Sequence, residues 1–594
     1  MAVREPERAS PSAGLKAALQ LGSPVFPEVP IEGWSNSEEE IDEALATLTA
    51  NKSIWATLGG LERIALLEAT LRGMEQVSSD WVRLSLDAKR APAGGFPEGE
   101  EWVILSAVPQ LIRALRGSLK NAEIAGGHLA PPTASHDTEA RALRAFPRST
   151  MERLLFMGTS AEVLVQASDV RSATAAREDS DANLGAPRGR VALVLGAGNV
   201  SAIPPVDVLN KLFLESQVVI LKMSAVNAYL GPLIERGFHE LISAGYLRVV
   251  YGGADVGGYL CQHPSVDTVH ITGSDKSFEA IVFGPGEDGA RRKSERRPLL
   301  SKPITSELGC VSPVIVVPGP WTPGEIRHQA VQISTWLASN AGFNCMTPRV
   351  LVQHRTWSKR QDLLGALGDV LSKTPTRSAY YPGAEARHAE FLGAHPDALL
   401  FARDRIEGHL PWTLVTDLDA ANADDPCFTT EAFCSLLGET ALDAPNAAAF
   451  VERAVRFVNE TLWGTLSATI IVHPRSMRDP VVGPAIEAAI GKLRYGTVGL
   501  NVFPGYAYVL MATPWGAYPG SDIYDVQSGM GFVNDVIGIG RPEKTVYRGP
   551  FKKLDPATVL SKRPHEFGRK LAQHAFDPSI GRFASMLRAA MRSG

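Results

Sequence analysis

The stretch Asn340-Ala341-Gly342-Phe343-Asn344-Cys345 ends in a cysteine, and Glu307-Leu308-Gly309-Cys310 stands just upstream of it. A thiol can attack a carbonyl carbon, and a carboxylate can activate the water that later clears the adduct. The two segments must meet in the fold for that chemistry to run. A cysteine taken alone is more often a small buried hydrophobe. Two further segments could hold an anionic ligand. Gly196-Ala197-Gly198-Asn199 follows an apolar run and precedes a helical one, where helix amides face a phosphate; a plain tight turn fits it nearly as well. Thr272-Gly273-Ser274 follows another apolar run, and its serine reads as a pyrophosphate contact or as an ordinary helix cap. The full dinucleotide fingerprint is missing. Ser201 fills its third glycine slot, and Lys222 stands where a ribose-binding acid is expected.

The elements that must position these residues follow from the apolar pattern. Residues 191–195, 217–221, 247–251 and 266–271 are short apolar runs, as expected of strands buried on both faces. Helical segments separate them, and βαβ alternation implies a parallel sheet. A charged insert, 284–297, precedes Glu307. A second block of strands is predicted at 313–317, 349–353 and 469–472. Upstream, Ser37 with three following glutamates opens a helix, and Ile41, Leu45 and Leu48 give it one apolar face. A second amphipathic helix runs through Trp55, Leu61, Ile64, Leu67 and Leu71. Residues 1–36 read as a disordered tail. Residues 541–594, with twelve Lys or Arg against four Asp or Glu, read as a solvated basic helix.

In this order the motifs resemble those of the aldehyde dehydrogenase superfamily over roughly residues 40–540. Leu195-Gly-Ala-Gly-Asn199 is similar to the family's strand-Pro-Trp-Asn segment, and Lys222-Met-Ser-Ala225 to its Lys-Pro-Ser-Glu. His263-Pro-Ser-Val-Asp267 leads to Ile271-Thr-Gly-Ser274, its Gly-Ser turn. Glu307-Leu-Gly-Cys-Val-Ser-Pro313, Asn340 to Cys345, Glu431-Ala-Phe-Cys-Ser435 and Gly496-Thr-Val-Gly-Leu-Asn501 complete the series. The resemblance implies an α/β fold: a parallel-sheet cofactor domain, an α/β catalytic domain and a β-hairpin oligomerisation arm. The divisions it suggests are 37–306 for the cofactor domain with its N-terminal helices, the arm within 161–190, 307–500 for the catalytic domain, 501–540 for a return to the cofactor region, and 541–594 for an extension.

It also implies roles. Cys345 is the nucleophile toward an aldehyde, Asn199 an oxyanion donor beside the Cys345 amide, and Glu307 the base for water. Lys222 would hold the adenosine ribose, Gly273 and Ser274 the pyrophosphate, and Glu431 the nicotinamide ribose of NAD or NADP. Trp515 is a candidate pocket wall, or core packing. The family's Pro-Trp is replaced by Ala197-Gly198, its glutamine by Phe343, and its Gly-Pro by Cys434-Ser435. Cys310 replaces a glycine. Ala225 replaces an acid that would repel a 2′-phosphate, which leaves NADP open beside NAD. Two other readings stand beside aldehyde oxidation: an NADPH-dependent acyl-CoA reductase, whose loop Gly196 to Val200 resembles, and a catalytically degenerate scaffold.

Bulk properties exclude other classes. The 594 residues carry a formal charge of −5, which asks for neither nucleic acid nor a membrane surface. The longest uncharged stretch, 497–521, is broken by Pro504, Pro514 and Pro519, so no membrane-spanning helix is expected. The first eight residues are mixed in charge and do not form a secretory signal. The five cysteines include no Cys-x-x-Cys pair, so no metal site is expected and a reducing cytoplasm fits. The resemblance adds a homodimer or homotetramer.

Overall fold

The four apolar runs between residues 191 and 273 form one sheet, each shifted by no more than two residues from its expected position. The computed structural model describes residues 21–29, 35–124, 142–165, 189–539, 541–553 and 555–594. In space the strands run Gly529–Met530, Ile304–Leu308, Thr268–Gly273, Val191–Leu195, Val218–Lys222 and Leu247–Val250. All pairs are parallel except the first. From Val191–Leu195 the chain builds outward on one side and then crosses back to Thr268–Gly273 on the other. That reversal opens a crevice beyond the carboxyl ends of these two strands, the place where open α/β sheets bind ligands. Gly196–Asn199 and Gly273–Ser274 are the turns that leave those ends.

The second sheet has ten strands. Seven run parallel: Pro542–Arg548, Thr497–Leu500, Ser467–Ile471, Ser312–Val316, Pro348–His354, Leu436–Leu442 and Trp412–Leu418. Antiparallel strands close it, Ser160–Val165 and Ala142–Phe146 at one end and Leu399–Phe401 at the other. Glu307 ends a strand of the first sheet, and the next strand, Ser312–Val316, already belongs to the second. The chain therefore passes between sheets right beside Glu307.

Two expectations need correction. Residues 21–29 do not behave as a disordered tail. Gly22 makes a parallel bridge to Thr430, its amide donating to the Thr429 carbonyl at 2.9 Å. The segment 541–594, expected as a solvated helix, opens instead with Pro542–Arg548, an interior strand of the large sheet; helices Pro564–Phe576 and Ile580–Ser593 follow it. The strand's short Thr545-Val546-Tyr547 core, flanked by Glu543-Lys544 and Arg548, had masked it. The helix Pro564–Phe576 packs on Phe96–Leu105, where a Cβ on Gly568 would lie 2.4 Å from the Gly99 carbonyl oxygen. Most of the arm expected within 161–190 lies outside the described residues; Ser160–Val165 pairs with Pro542–Arg548.

Candidate active site

Helix Pro323–Ala338 starts on a full Thr322–Glu325 capping box and ends just before the cysteine loop. After the cap Ser339, three consecutive residues, Asn340, Ala341 and Gly342, have positive φ, at 49°, 57° and 84°. Two non-glycine residues in the left-handed region are costly and persist only where their surroundings hold them. A buried network does so here. The Asn340 amide N–H donates to Glu100 at 2.9 Å, and its Nδ2 donates to the Asn199 carbonyl at 2.9 Å. Its Oδ1 accepts from Lys89 and from the Tyr380 hydroxyl, both at 2.9 Å. Lys89 also pairs with Glu101 at 2.6 Å, and Glu100 with Arg377 at 2.8 Å. Gly342 has no alternative. A Cβ there would lie 2.4 Å from the Cys434 carbonyl oxygen.

The loop delivers Cys345, partly exposed, into a cavity. Its thiol donates to Glu307 Oε1 at 3.3 Å. Asn199 and Glu307 line the same cavity, with Gly196, Gly198, Gly273, Ser274 and Glu431. Burial, then the Asp207 carboxylate, pushes Glu307 up to about 7. The Trp515 indole N–H approaches Glu307 closely enough to favour its ionised form, without a full hydrogen bond. Burial first, then Glu307 and Glu431, raises the Cys345 thiol well above its ordinary value. The sulfur thus rests as a thiol, and the ionised form of Glu307, which burial and Asp207 bring to a balance near pH 7, accepts its proton as attack proceeds.

The Asn199 side chain donates one N–H to the Phe343 carbonyl at 2.8 Å, which leaves its second N–H for a substrate oxygen. Its carbonyl is held by Asn340 and, at 3.0 Å, by Tyr380. The asparagine is thus tied to the loop whose cysteine it serves. Phe343, where the resemblance expects glutamine, packs in an aromatic cluster with Tyr380, Tyr381 and Phe433.

The ligand-holding residues divide. Ser274 caps helix Asp275–Phe283, accepting from the Ser277 amide at 3.1 Å, and it also faces the cavity. The cap reading of that serine is thus seen, and its place on the cavity wall leaves the pyrophosphate contact as a proposal. Gly273 faces the cavity beside it. Glu431 is buried, pushed up to about 8 by burial, and its Oε1 finds no hydrogen-bond donor among the described residues. An orphaned buried carboxylate oxygen facing a cavity suits a ligand hydroxyl. Gly309 allows the approach: a Cβ there would lie 1.9 Å from Glu431 Oε2. Lys222 ends its strand at the same edge but outside the Cys345 cavity, partly buried near Asp255 and Cys261. Trp515 lies in the core beside Glu307 and does not line this cavity. A crevice with a glycine turn, a helix N-terminus and a buried acid with one oxygen unpartnered among the described residues fits a ligand that carries phosphate and hydroxyl groups, as a dinucleotide does.

Several contributors were not foreseen. Arg349 bonds the Gly342 and Cys434 carbonyls at 2.6 and 2.7 Å, locking the cysteine loop to the Glu431 loop. Asp207 is buried and accepts from Thr272 at 2.9 Å. A charged residue inside an apolar run is the signal that could have found both. Nothing in the sequence pointed to Tyr380, Tyr381 or Phe26.

The model of the aldehyde dehydrogenase family matches residues 176–377. An aldehyde dehydrogenase from a Fusarium species, LUC3, is 29% identical over 160 residues, 26% of this chain and 31% of the relative. An N-succinylglutamate 5-semialdehyde dehydrogenase of Novosphingobium aromaticivorans is 28% identical over 167 residues, 28% of this chain and 32% of the relative. The match thus spans about a third of the length of these curated relatives. The fold is shared over far more. A mutant aldehyde dehydrogenase C of Pseudomonas syringae, complexed with NAD+ and octanal, covers 91% of this chain and 98% of its own at a TM-score of 0.57 and 16% identity. An NADP-dependent glyceraldehyde-3-phosphate dehydrogenase of Bacillus halodurans, complexed with NADP, covers 88% and 95% at a TM-score of 0.54 and 17% identity.

Proposed function

We propose, from the premise that this chain is a member of the aldehyde dehydrogenase superfamily, as its family match and its fold support, that it oxidises an aldehyde to a carboxylic acid with NAD or NADP. The observation that carries this reading is the contact of Cys345 Sγ with Glu307 Oε1 at 3.3 Å, in one cavity with Asn199.

The sulfur attacks the aldehyde carbon as its proton passes to Glu307. The resulting oxyanion takes the free Asn199 N–H and the Cys345 backbone N–H. One such donor is typically worth about 3–4 kcal/mol of transition-state stabilisation. Bound NAD(P) supplies the acceptor for the hydride that leaves the same carbon, and a Cys345 thioester remains. Glu307, having passed its proton to solvent, deprotonates a water that attacks the thioester carbonyl, and it returns that proton to the leaving Cys345 sulfur. The carbon–sulfur bond breaks, and the acid departs. Buried Asp207 keeps Glu307 basic enough for that second role. Gly273, Ser274 and Glu431 hold the pyrophosphate and nicotinamide ribose, and Lys222 the adenosine ribose.

The substrate is a small-molecule aldehyde and the chain works as a homodimer or homotetramer; Ala142–Phe146 is an edge strand among the described residues. No helix among the described residues is long and apolar enough to cross a membrane, and all five cysteines are free, which suits a reducing cytoplasm. The test is a panel of aliphatic, aromatic and semialdehyde substrates with each cofactor, with and without coenzyme A. NAD(P)H formation without coenzyme A, abolished in Cys345→Ser, is the expected result. Strict dependence on coenzyme A would replace hydrolysis with acyl transfer, and silence on every substrate would favour a scaffold.

A further inference from the structure

The segment Leu21–Val29 lies across the route that a dinucleotide would take. The Gly22 amide donates to the Thr429 carbonyl at 2.9 Å, and the Glu431 amide to the Gly22 carbonyl at 3.0 Å. Lys276, on the first turn of helix Asp275–Phe283, donates to the Leu21 carbonyl at 2.7 Å. The Ser23 amide donates to Asp275 Oδ1 at 2.9 Å, and its hydroxyl reaches Glu431 Oε2 at 3.4 Å. Ser23 is 1% exposed. Phe26 lies edge-on to Tyr381 and Phe433, with centroids 5.1 and 5.3 Å away, beneath the Arg387 guanidinium, and lines the cavity that holds Cys345.

These contacts imitate a ligand. A ribose diol brings two O–H donors to a carboxylate, one for each oxygen. Ser23 brings one, at a long distance, and leaves Oε1 of a 2% exposed glutamate without a donor. At the helix N-terminus, where an anionic phosphate is favoured, the buried Asp275 carboxylate and the strap's amide fill the position. We propose that Leu21–Val29 is an intrasteric strap that occupies the nicotinamide-ribose end of the cofactor crevice and must be displaced for NAD(P) to engage Glu431. This rests on the cofactor reading given under Proposed function. A site open only part of the time binds with an affinity reduced by its open fraction.

The test is direct binding of NADPH and NADH, followed by their fluorescence, to the full chain, to a chain lacking residues 2–29, and to full-length Ser23→Ala and Phe26→Ala. The truncated chain is expected to bind at least one reduced cofactor with a Kd lower by roughly tenfold, about 1.4 kcal/mol. The two point variants, which report even if the truncated chain fails to fold, are expected to give a smaller gain in the same direction. A synthetic peptide of residues 18–29 is expected to compete with the cofactor on the truncated chain. Unchanged or weaker binding by the truncated and point variants would overturn the strap while leaving the dehydrogenase reading intact. Failure of every chain to bind either cofactor would overturn both.

Discussion

Cys345 and Glu307 meet across a sheet boundary: the sulfur and Oε1 are 3.3 Å apart, yet Glu307 lies in the six-stranded sheet while Cys345 sits on a loop feeding a strand of the ten-stranded one. The reacting pair is therefore only as well aligned as the two sheets are. The left-handed loop before Cys345 and the Arg349 clamp fix one side, and Asp207 and Trp515 surround the other.

Replacing Glu307 by Gln separates two properties of the cysteine. The carboxylate raises the thiol's pKa, so its removal lowers that pKa. Alkylation of Cys345 by iodoacetamide at pH 8 is predicted to speed up in Glu307→Gln while aldehyde turnover falls at least a hundredfold. Peptide mass spectrometry reads the first and NAD(P)H formation the second.

Glu307 must be ionised to accept a proton, so kcat is predicted to rise with pH through about 7, the position to which burial and Asp207 push this group. Asp207→Asn removes the neighbouring negative charge and moves that inflection to lower pH. A pH–rate profile of both proteins checks the direction.

The same group makes stability fall as pH rises. Its folded pKa lies above the ordinary carboxyl value of about 4.5, so between the two values the native state holds a proton that the unfolded state has lost. The favourable contribution is complete below about 4.5 and is lost as pH climbs through about 7. Glu307→Gln removes this dependence. It is predicted to be more stable than the parent at pH 8 by up to roughly 3 kcal/mol, with little difference at pH 4.5. Glu431, pushed up to about 8, adds in the same direction. Denaturant melts at the two pH values measure it.

The polar network behind the loop supports catalysis through position. Tyr380→Phe removes hydroxyl bonds to the Asn199 carbonyl and Asn340 Oδ1. It is predicted to lower kcat by about tenfold with little change in the KM for cofactor, consistent with roughly 1–2 kcal/mol of lost hydrogen bonding. Lys89→Met leaves Glu101 buried without its cation and is predicted to destabilise the fold by about 3–5 kcal/mol. Steady-state kinetics and thermal melts distinguish the two effects.

The parallel sheet around residues 191–273 was legible because strands buried on both faces read as unbroken apolar runs. Cys345, Glu307, Asn199 and Ser274 could be singled out because their motifs stand in the order of one superfamily; each residue alone reads as readily as packing, a cap or a surface charge. What stayed hidden depends on contacts distant in sequence. Tyr380 acts on an asparagine loop far upstream, and Ser23 meets Glu431 from the other end of the chain. Pro542–Arg548 escaped because charges at Glu543, Lys544 and Arg548 flank a core of only three residues, so that local composition reads as a basic tail.

The most direct test of the catalytic assignment is to mix Glu307→Gln with an aldehyde and NAD(P), quench, and weigh the peptide that contains Cys345. The account predicts an acyl mass on Cys345, formed with one equivalent of NAD(P)H and cleared slowly for want of the base. NAD(P)H formation with Cys345 unmodified and the acyl group on another residue, or on none, would contradict it.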